Sequence, residues 1–195
     1  MKLVKGRAKR EIIKVPCGRS KAESTGYTHI YTGNGKGKTT AAAGLALRAI
    51  DAGWKVFILQ FIKAEPSGEM VSLKRLSPGN VRIRCCGRGR FIKGQPSCAD
   101  VKHAVDGLKV ARREMLSGKY GMVILDELCV ACSIGLVELE MARDFIAQKP
   151  AGVELVLTGR NASGELVALA DLVSEIKEVK HYMNNKVPAR KGVEY

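Results

Sequence analysis

Between an apolar stretch and an alanine-rich one lie Thr32-Gly33-Asn34-Gly35-Lys36-Gly37-Lys38-Thr39-Thr40. Glycines at this spacing let the backbone wrap until its N–H groups converge on phosphate oxygens, and a helix that follows adds the positive end of its dipole. In such a loop Lys38 reaches the terminal phosphates and the Thr39 hydroxyl ligates a divalent cation, Mg²⁺ or Mn²⁺. The strict spacing G-x-x-x-x-G-K-[ST] is not met, because its first glycine falls on Thr32. Gly33 must therefore make the first turn. A glycine-rich turn that binds nothing is the competing reading, and the strand–turn–helix setting argues against it.

Met122-Val123-Ile124-Leu125-Asp126-Glu127 is a second element with chemistry: an apolar strand ending in two carboxylates. Alone, such acids are usually solvated. At the sheet edge where strand ends face helix N-termini, Asp126 and Glu127 meet the cation held by Thr39. Loop and acids together call for a nucleoside triphosphate and a divalent ion; they leave the reaction open, because the same pair serves kinases, ATPases, helicases and transferases.

The elements that must position these groups alternate along the chain. Short β-branched runs predict strands at 28–32, 55–60, 81–86, 121–126, 153–158 and 173–179. Helical spacing predicts helices at 38–52, 136–148 and 163–171, and Val101, Ala104, Val105, Leu108, Ala111 and Met115 make one more apolar stripe. Ser97 and Asp100 predict a capping box at the start of that helix, and Gly118 its end. VFIL and MVIL are apolar at successive positions, as in a mainly parallel sheet with helices on both faces. The expected fold class is α/β, doubly wound, of the P-loop NTPase-like (RecA-like) kind, in a single domain over 27–195 behind a basic N-terminal arm at 1–26.

The chain has 195 residues, 46% hydrophobic, and a formal net charge of +14. Residues 1–30 carry 8 basic and 2 acidic groups and residues 70–99 carry 7 and 0, while the rest nearly cancels. Two basic regions on a neutral body call for anionic ligands. The longest aliphatic runs fall far short of the roughly 20 residues needed to span a bilayer, so no membrane association is expected. Charges interrupt the first 20 residues every few positions, which argues against a secretory signal and for a cytoplasmic protein. Reduced thiols are then expected at Cys17, Cys85, Cys86, Cys98, Cys129 and Cys132. On a helix Cys129 and Cys132 would share a face, but zinc needs four ligands and no second paired motif exists, so buried thiols are the expected role.

Residues 31–63, YTGNGKGKTTAAAGLALRAIDAGWKVFILQFIK, resemble the P-loop family of ATP:corrinoid adenosyltransferases, of the cob(I)alamin or cob(I)yrinic acid a,c-diamide type. VILDEL at 123–128, LTGR at 157–160, ADLVSE at 170–175, VKH at 179–181 and GVEY at 192–195 are similar to that family's blocks in the same order. Threonine at the first loop position is also the family's form. The resemblance implies transfer of the 5′-deoxyadenosyl group of ATP to the cobalt of a Co(I) corrinoid, with release of tripolyphosphate. It implies a homodimer and a flavodoxin-type electron donor as well.

Carried over residue by residue, the resemblance makes Lys38 the phosphate lysine and Thr39 and Glu127 the metal positions, with Asp126 behind them. Gly33, Asn34, Gly35, Lys36, Gly37 and Thr40 complete the nucleotide loop. Arg160 is expected at the phosphates or the corrinoid side chains, a solvated surface arginine being the alternative. The family's loop after the third strand offers aromatic side chains to the corrinoid; this chain has one there, Phe91, beside Ile92. Phe91 against the corrinoid and Phe91 as a packing group are both open, and so is His181 as a ligand contact. His103 is expected on a helix surface. A nucleic-acid-linked P-loop ATPase is the alternative function, weakened by the lone aromatic among the arginines, which is poor for base stacking.

Overall fold

A computed structural model describes residues 25–89, 92 and 94–194. Phe91 and all of the basic arm except Thr25 and Gly26 lie outside the described residues. Among the described residues six strands and six helices follow one another as β1 (Thr28–Thr32), α1 (Lys38–Asp51), β2 (Val56–Gln60), α2 (Gly68–Leu76), β3 (Val81–Cys85), α3 (Cys98–Leu116), β4 (Met122–Asp126), α4 (Leu128–Ser133), α5 (Leu139–Ala147), β5 (Glu154–Thr158), α6 (Gly164–Ala168) and β6 (Leu172–Glu175). A 3₁₀ turn at Tyr182–Asn185 follows. The strands form one sheet in the order β3-β2-β4-β5-β1-β6, and every pairing is parallel.

The all-apolar strands are explained by what covers them. Val56 and Ile58 of β2, with Met122 and Ile124 of β4, pack under Ala42, Ala43, Ala46 and Ala49 of α1 and Met70 and Leu73 of α2. Phe57 and Leu59, with Val123 and Leu125, face the other way, onto Leu108, Ala111 and Met115 of α3 and Phe145 of α5. Side-chain alternation thus feeds two separate cores, one on each face. Each fully buried Leu, Ile or Phe contributes about 1.5–3 kcal/mol, so tertiary burial, and not the propensity of short helices, holds the layers. The alanines of α1 let that helix lie close to the sheet, which fixes its first turn against the strand ends.

The capping box forms as expected: the Ser97 side chain accepts from the Asp100 N–H at the start of α3, and Asp100 accepts from the Ser97 N–H at 3.1 Å. Three differences from the sequence reading stand out. α2 and α4 are additional helices, the helix read from 136 begins only at Leu139, and β6 stops at Glu175. The segment 128–133 was hidden because it is only six residues long and follows β4 after a single residue, with no glycine or proline to mark the boundary. β6 is an edge strand, exposed along all four residues.

Candidate active site

β1 ends at Thr32, and the chain must turn at once to begin α1 at Lys38. Gly33 makes that turn with φ +94°, and a Cβ there would lie 2.4 Å from the Ile176 carbonyl oxygen. Only glycine satisfies both conditions, so Gly33 does replace the glycine missing at position 32. α1 starts behind Gly37 with no side-chain cap and no acidic residue in its first turn. Its leading N–H groups and dipole are therefore directed at whatever anion the loop takes.

Lys38, only 7% exposed, donates from Nζ to the carbonyls of Gly33 and Gly35, both at 2.7 Å. Burial, then the charge of Arg160, hold this ammonium below the ordinary lysine range, against the pull of Glu127 and Asp126. The Thr39 hydroxyl donates to Asp126 Oδ1 at 2.8 Å. β5 lies between the loop strand and the acidic strand, so β1 and β4 stand about 9.5 Å apart at two interstrand spacings. The first turn of α1 closes that gap.

Asp126 is the centre of a buried polar knot. Its Oδ1 also accepts from the Thr158 hydroxyl at 2.7 Å, and its Oδ2 from Gln60 Nε2 at 2.7 Å, with Lys63 Nζ 3.8 Å away. Gln60 Oε1 in turn accepts the Ser67 N–H at 3.0 Å, which orients the amide. Glu127 is the residue that leaves the strand: φ +63° puts it in the left-handed region at the head of α4, its N–H donating to Thr158 Oγ1 at 2.9 Å. A non-glycine residue held there stores about 1–3 kcal/mol, a pattern found at functional sites. Burial, then the Asp126 charge, push the Glu127 carboxyl above its ordinary value, against Lys38, Lys63 and Arg160. Among the described residues no donor bonds to that carboxylate. A desolvated, unpaired carboxylate beside a threonine hydroxyl and a second acid is the donor set of a hard cation such as Mg²⁺, which needs one or two carboxylates and takes its other ligands from water and phosphate.

Gly159 carries β5 past the head of α4. Its φ is +139°, and a Cβ would meet the Val130 nitrogen at 2.8 Å and the Cys129 Cβ at 2.9 Å. Arg160 follows, exposed, its charge felt by both Lys38 and Glu127. The structure thus gathers Gly33, Gly35, Lys38, Thr39, Asp126, Glu127 and Arg160 at one sheet edge. The Lys36 side chain turns outward to the C-terminal segment instead.

Sequence reasoning missed Thr158, Gln60 and Lys63. The available signal was a polar residue closing an apolar strand: Gln60 ends VFILQ and Thr158 ends ELVLT, as Asp126 ends MVILD. His181 accepts the Met183 N–H at 3.0 Å and so caps the 3₁₀ turn, while His103 lies exposed on α3. Cys129 is buried, and burial pushes its thiol up to about 12 and that of Cys132 to about 11, as inert packing groups. In the basic region, Arg82 pairs with Glu114 at 2.9 Å and Arg88 with Asp100 at 3.6 Å, tying both to α3.

Among solved structures, a KaiC-like protein from Pyrococcus horikoshii OT3 superposes with a TM-score of 0.54 at 20% identity, covering 78% of this chain and 73% of that one. This likeness establishes the fold. The corrinoid adenosyltransferase of Pseudomonas aeruginosa is 36% identical over 174 residues, covering 89% of this chain and 85% of the relative. That of Escherichia coli K12 is 34% identical over 174 residues, covering 89% and 87%. That of a Sinorhizobium species is 32% identical over 197 residues, covering 100% and 90%. The model of the family described as ATP:corrinoid adenosyltransferase BtuR/CobO/CobP matches residues 24–195, which takes in every strand and every residue of the site above. With a family match along nearly its whole length and a phosphate loop facing paired acids across one sheet edge, the chain belongs to the ATP:corrinoid adenosyltransferase family.

Proposed function

We propose that this protein transfers the 5′-deoxyadenosyl group of ATP to the Co(I) centre of a corrinoid and releases tripolyphosphate, with the catalytic domain spanning 27–195. The observation that carries the assignment of the site is the meeting of Lys38 and Thr39, behind a glycine-built loop, with Asp126, Glu127 and Arg160 at the ends of β4 and β5. Attack falls on C5′ of the ribose, so the entire triphosphate departs and three phosphates must be stabilised together. Lys38 supplies a partly desolvated positive charge to them, and Arg160 a second from the same end of the neighbouring strand β5. Gly33 and Gly35 shape the backbone that receives the phosphates, with Asn34, Gly37 and Thr40 in the same loop. Thr39 and Glu127 are the residues that would hold Mg²⁺ or Mn²⁺, with Asp126 orienting Thr39. When bound, that ion neutralises charge building on the phosphate oxygens.

The nucleophile arises by electron transfer and not by proton removal, so no general base is required. Positioning and electrostatics carry the rate. Cobalamin, cobinamide and cobyrinic acid a,c-diamide are the candidate acceptors, in adenosylcobalamin biosynthesis or salvage. A reducing compartment, the cytoplasm, suits both Co(I) and the thiols. A homodimer supplied with electrons by a flavodoxin-type donor is the expected assembly, and Phe91 the expected apolar group near cobalt.

Phosphorus NMR after anaerobic incubation with Mg²⁺-ATP and a chemically reduced Co(I) corrinoid tests the proposal. Tripolyphosphate appearing only when corrinoid is present is the expected result. ADP with orthophosphate, regardless of corrinoid, would refute it and turn attention to a nucleic-acid-linked ATPase.

A further inference from the structure

Lys36 belongs to the phosphate loop by sequence, but its side chain leaves it. Nζ donates to Tyr182 Oη at 2.9 Å, to the Val193 carbonyl at 2.7 Å and to Glu194 Oε1 at 3.1 Å. An ammonium has three hydrogens. All three are taken by the C-terminal segment.

Glu194 is the hub of that contact, its side chain 16% exposed. The Tyr182 hydroxyl donates to its Oε1, the Arg190 N–H to its Oε2 at 2.6 Å, and the Arg190 guanidinium reaches both oxygens at 3.3 and 3.4 Å. That guanidinium also stands 5.0 Å over the Tyr182 ring. Hydrogen bonds from Tyr182, then Arg190, hold the Glu194 carboxyl well below the ordinary carboxylate range.

A second contact ties the same stretch of chain to the loop from inside. The Gly35 N–H donates to the Ile176 carbonyl at 2.7 Å, the same oxygen a Cβ on Gly33 would strike at 2.4 Å. The loop is therefore gripped at two points by residues that follow β6: its backbone at Gly35 and its outer turn at Lys36.

We propose that the C-terminal segment is a positioning element of the nucleotide site, in which Glu194 and Tyr182, acting through Lys36, fix the outer turn of the phosphate loop in the shape that receives the triphosphate. This rests on the reading that ATP binds at that loop. Its chemical consequence is a division of labour between two lysines two residues apart. Lys36, its charge matched by Glu194, shapes the loop; Lys38 keeps its charge for the phosphates. Neither Glu194 nor Tyr182 touches the reacting atoms.

The test uses the full chain with Glu194→Gln, Tyr182→Phe, Lys36→Met and the Glu194→Gln/Lys36→Met double variant. Steady-state adenosyl transfer to Co(I) cobinamide gives KM for ATP and kcat, and hydrogen exchange reports the amides of residues 33–37. Expected for Glu194→Gln and Tyr182→Phe are a KM raised about threefold to tenfold, kcat held within about twofold, and faster exchange at Gly35. The double variant should be no worse than Lys36→Met alone, because both changes remove one contact. Unchanged KM and exchange in both single variants would overturn the proposal, as would additive effects or a lowered KM, which would make the segment a competitor of ATP. Should Lys36→Met fail to fold, the Glu194 and Tyr182 variants decide alone. If the wild type releases no tripolyphosphate, the proposed function fails, and calorimetric ATP binding with the same exchange measurement still decides the role of the segment.

Discussion

Asp126→Asn breaks the polar knot at the head of the sheet with almost no change of shape. Asp126 is 0% exposed. Its Oδ1 accepts the Thr39 and Thr158 hydroxyls at 2.8 and 2.7 Å, and its Oδ2 accepts Gln60 Nε2 at 2.7 Å. An amide that keeps its oxygen toward the two hydroxyls must aim its nitrogen at Gln60 Nε2, donor against donor. Rotating Gln60 gives no relief, because its Oε1 already accepts the Ser67 N–H at 3.0 Å. A lost charge-assisted hydrogen bond plus a buried unmatched donor cost about 3–4 kcal/mol. Gln60→Glu alone sets two carboxylates against each other in the same dry site, at a similar cost of about 3 kcal/mol. In the double variant the new amide donates to the new carboxylate, and one negative charge remains. Its destabilisation should fall short of the sum of the singles by about 2–3 kcal/mol, measured by urea unfolding with m unchanged. Additivity within about 0.5 kcal/mol would mean that the two side chains do not form the contact described. Adenosyl transfer should stay impaired even in the double variant, since the charge has moved away from Thr39.

Lys38→Ala should weaken ATP binding by on the order of 100-fold, read by calorimetry, because it removes the partly desolvated ammonium proposed to meet the phosphates. Near-normal affinity would dismiss Lys38 from the site. Glu127 has a folded-state pKa raised by burial and by Asp126, so the folded protein holds a proton that the unfolded chain releases, and stability falls as pH rises from the ordinary carboxylate range through the raised value. In chelator-treated protein Glu127→Gln should therefore melt higher than wild type near about pH 8 and lose that advantage by about pH 3, where both states are protonated. A constant difference across that range would contradict the assigned shift. Gly107→Ala pits local preference against packing: alanine gains about 1 kcal/mol inside a helix, but its Cβ would lie 2.7 Å from the Cys86 Cβ. Overpacking should win, lowering the melting temperature by about 2–4 °C in calorimetry. A rise would show that α3 shifts freely off β3.

Much of the fold was readable because its rules are local. Five of the six strands were found to within a residue at either end, since runs such as VFILQ stand between glycines and helical stretches. The apolar stripe from Val101 to Met115 announced α3, and the capping chemistry of Ser97 and Asp100 its start. α2 was unreadable for the converse reason: GEMVSLKRL buries only Met70 and Leu73, too few to set a period. The core of the site was legible as well, as Lys38, Thr39, Asp126 and Glu127 follow from the chemistry of phosphate and cation. What stayed hidden depends on strand order. Nothing in the sequence says that β5 lies between β1 and β4, so nothing announced that Thr158 would bridge Asp126 and Glu127. The bond from Lys36 to Glu194 joins residues 158 apart, beyond the reach of any local pattern.

The sheet order also sets a schedule. Among the described residues β1, which leads into the glycine-rich loop, pairs with β5 and β6 only, the latest made of the six strands. About 120 residues separate its end from the start of β5, which at a synthesis rate of about 5–20 residues per second means a wait on the order of 10 s on the ribosome. Meanwhile β2, β3 and β4 can pair among themselves with α3 across them, whereas β1, made before them, has both edges open to wrong partners. A nascent chain therefore holds an early-folding half that already carries the paired acids at the end of β4, and the glycine-rich loop takes its final shape only once β5 and β6 have been made.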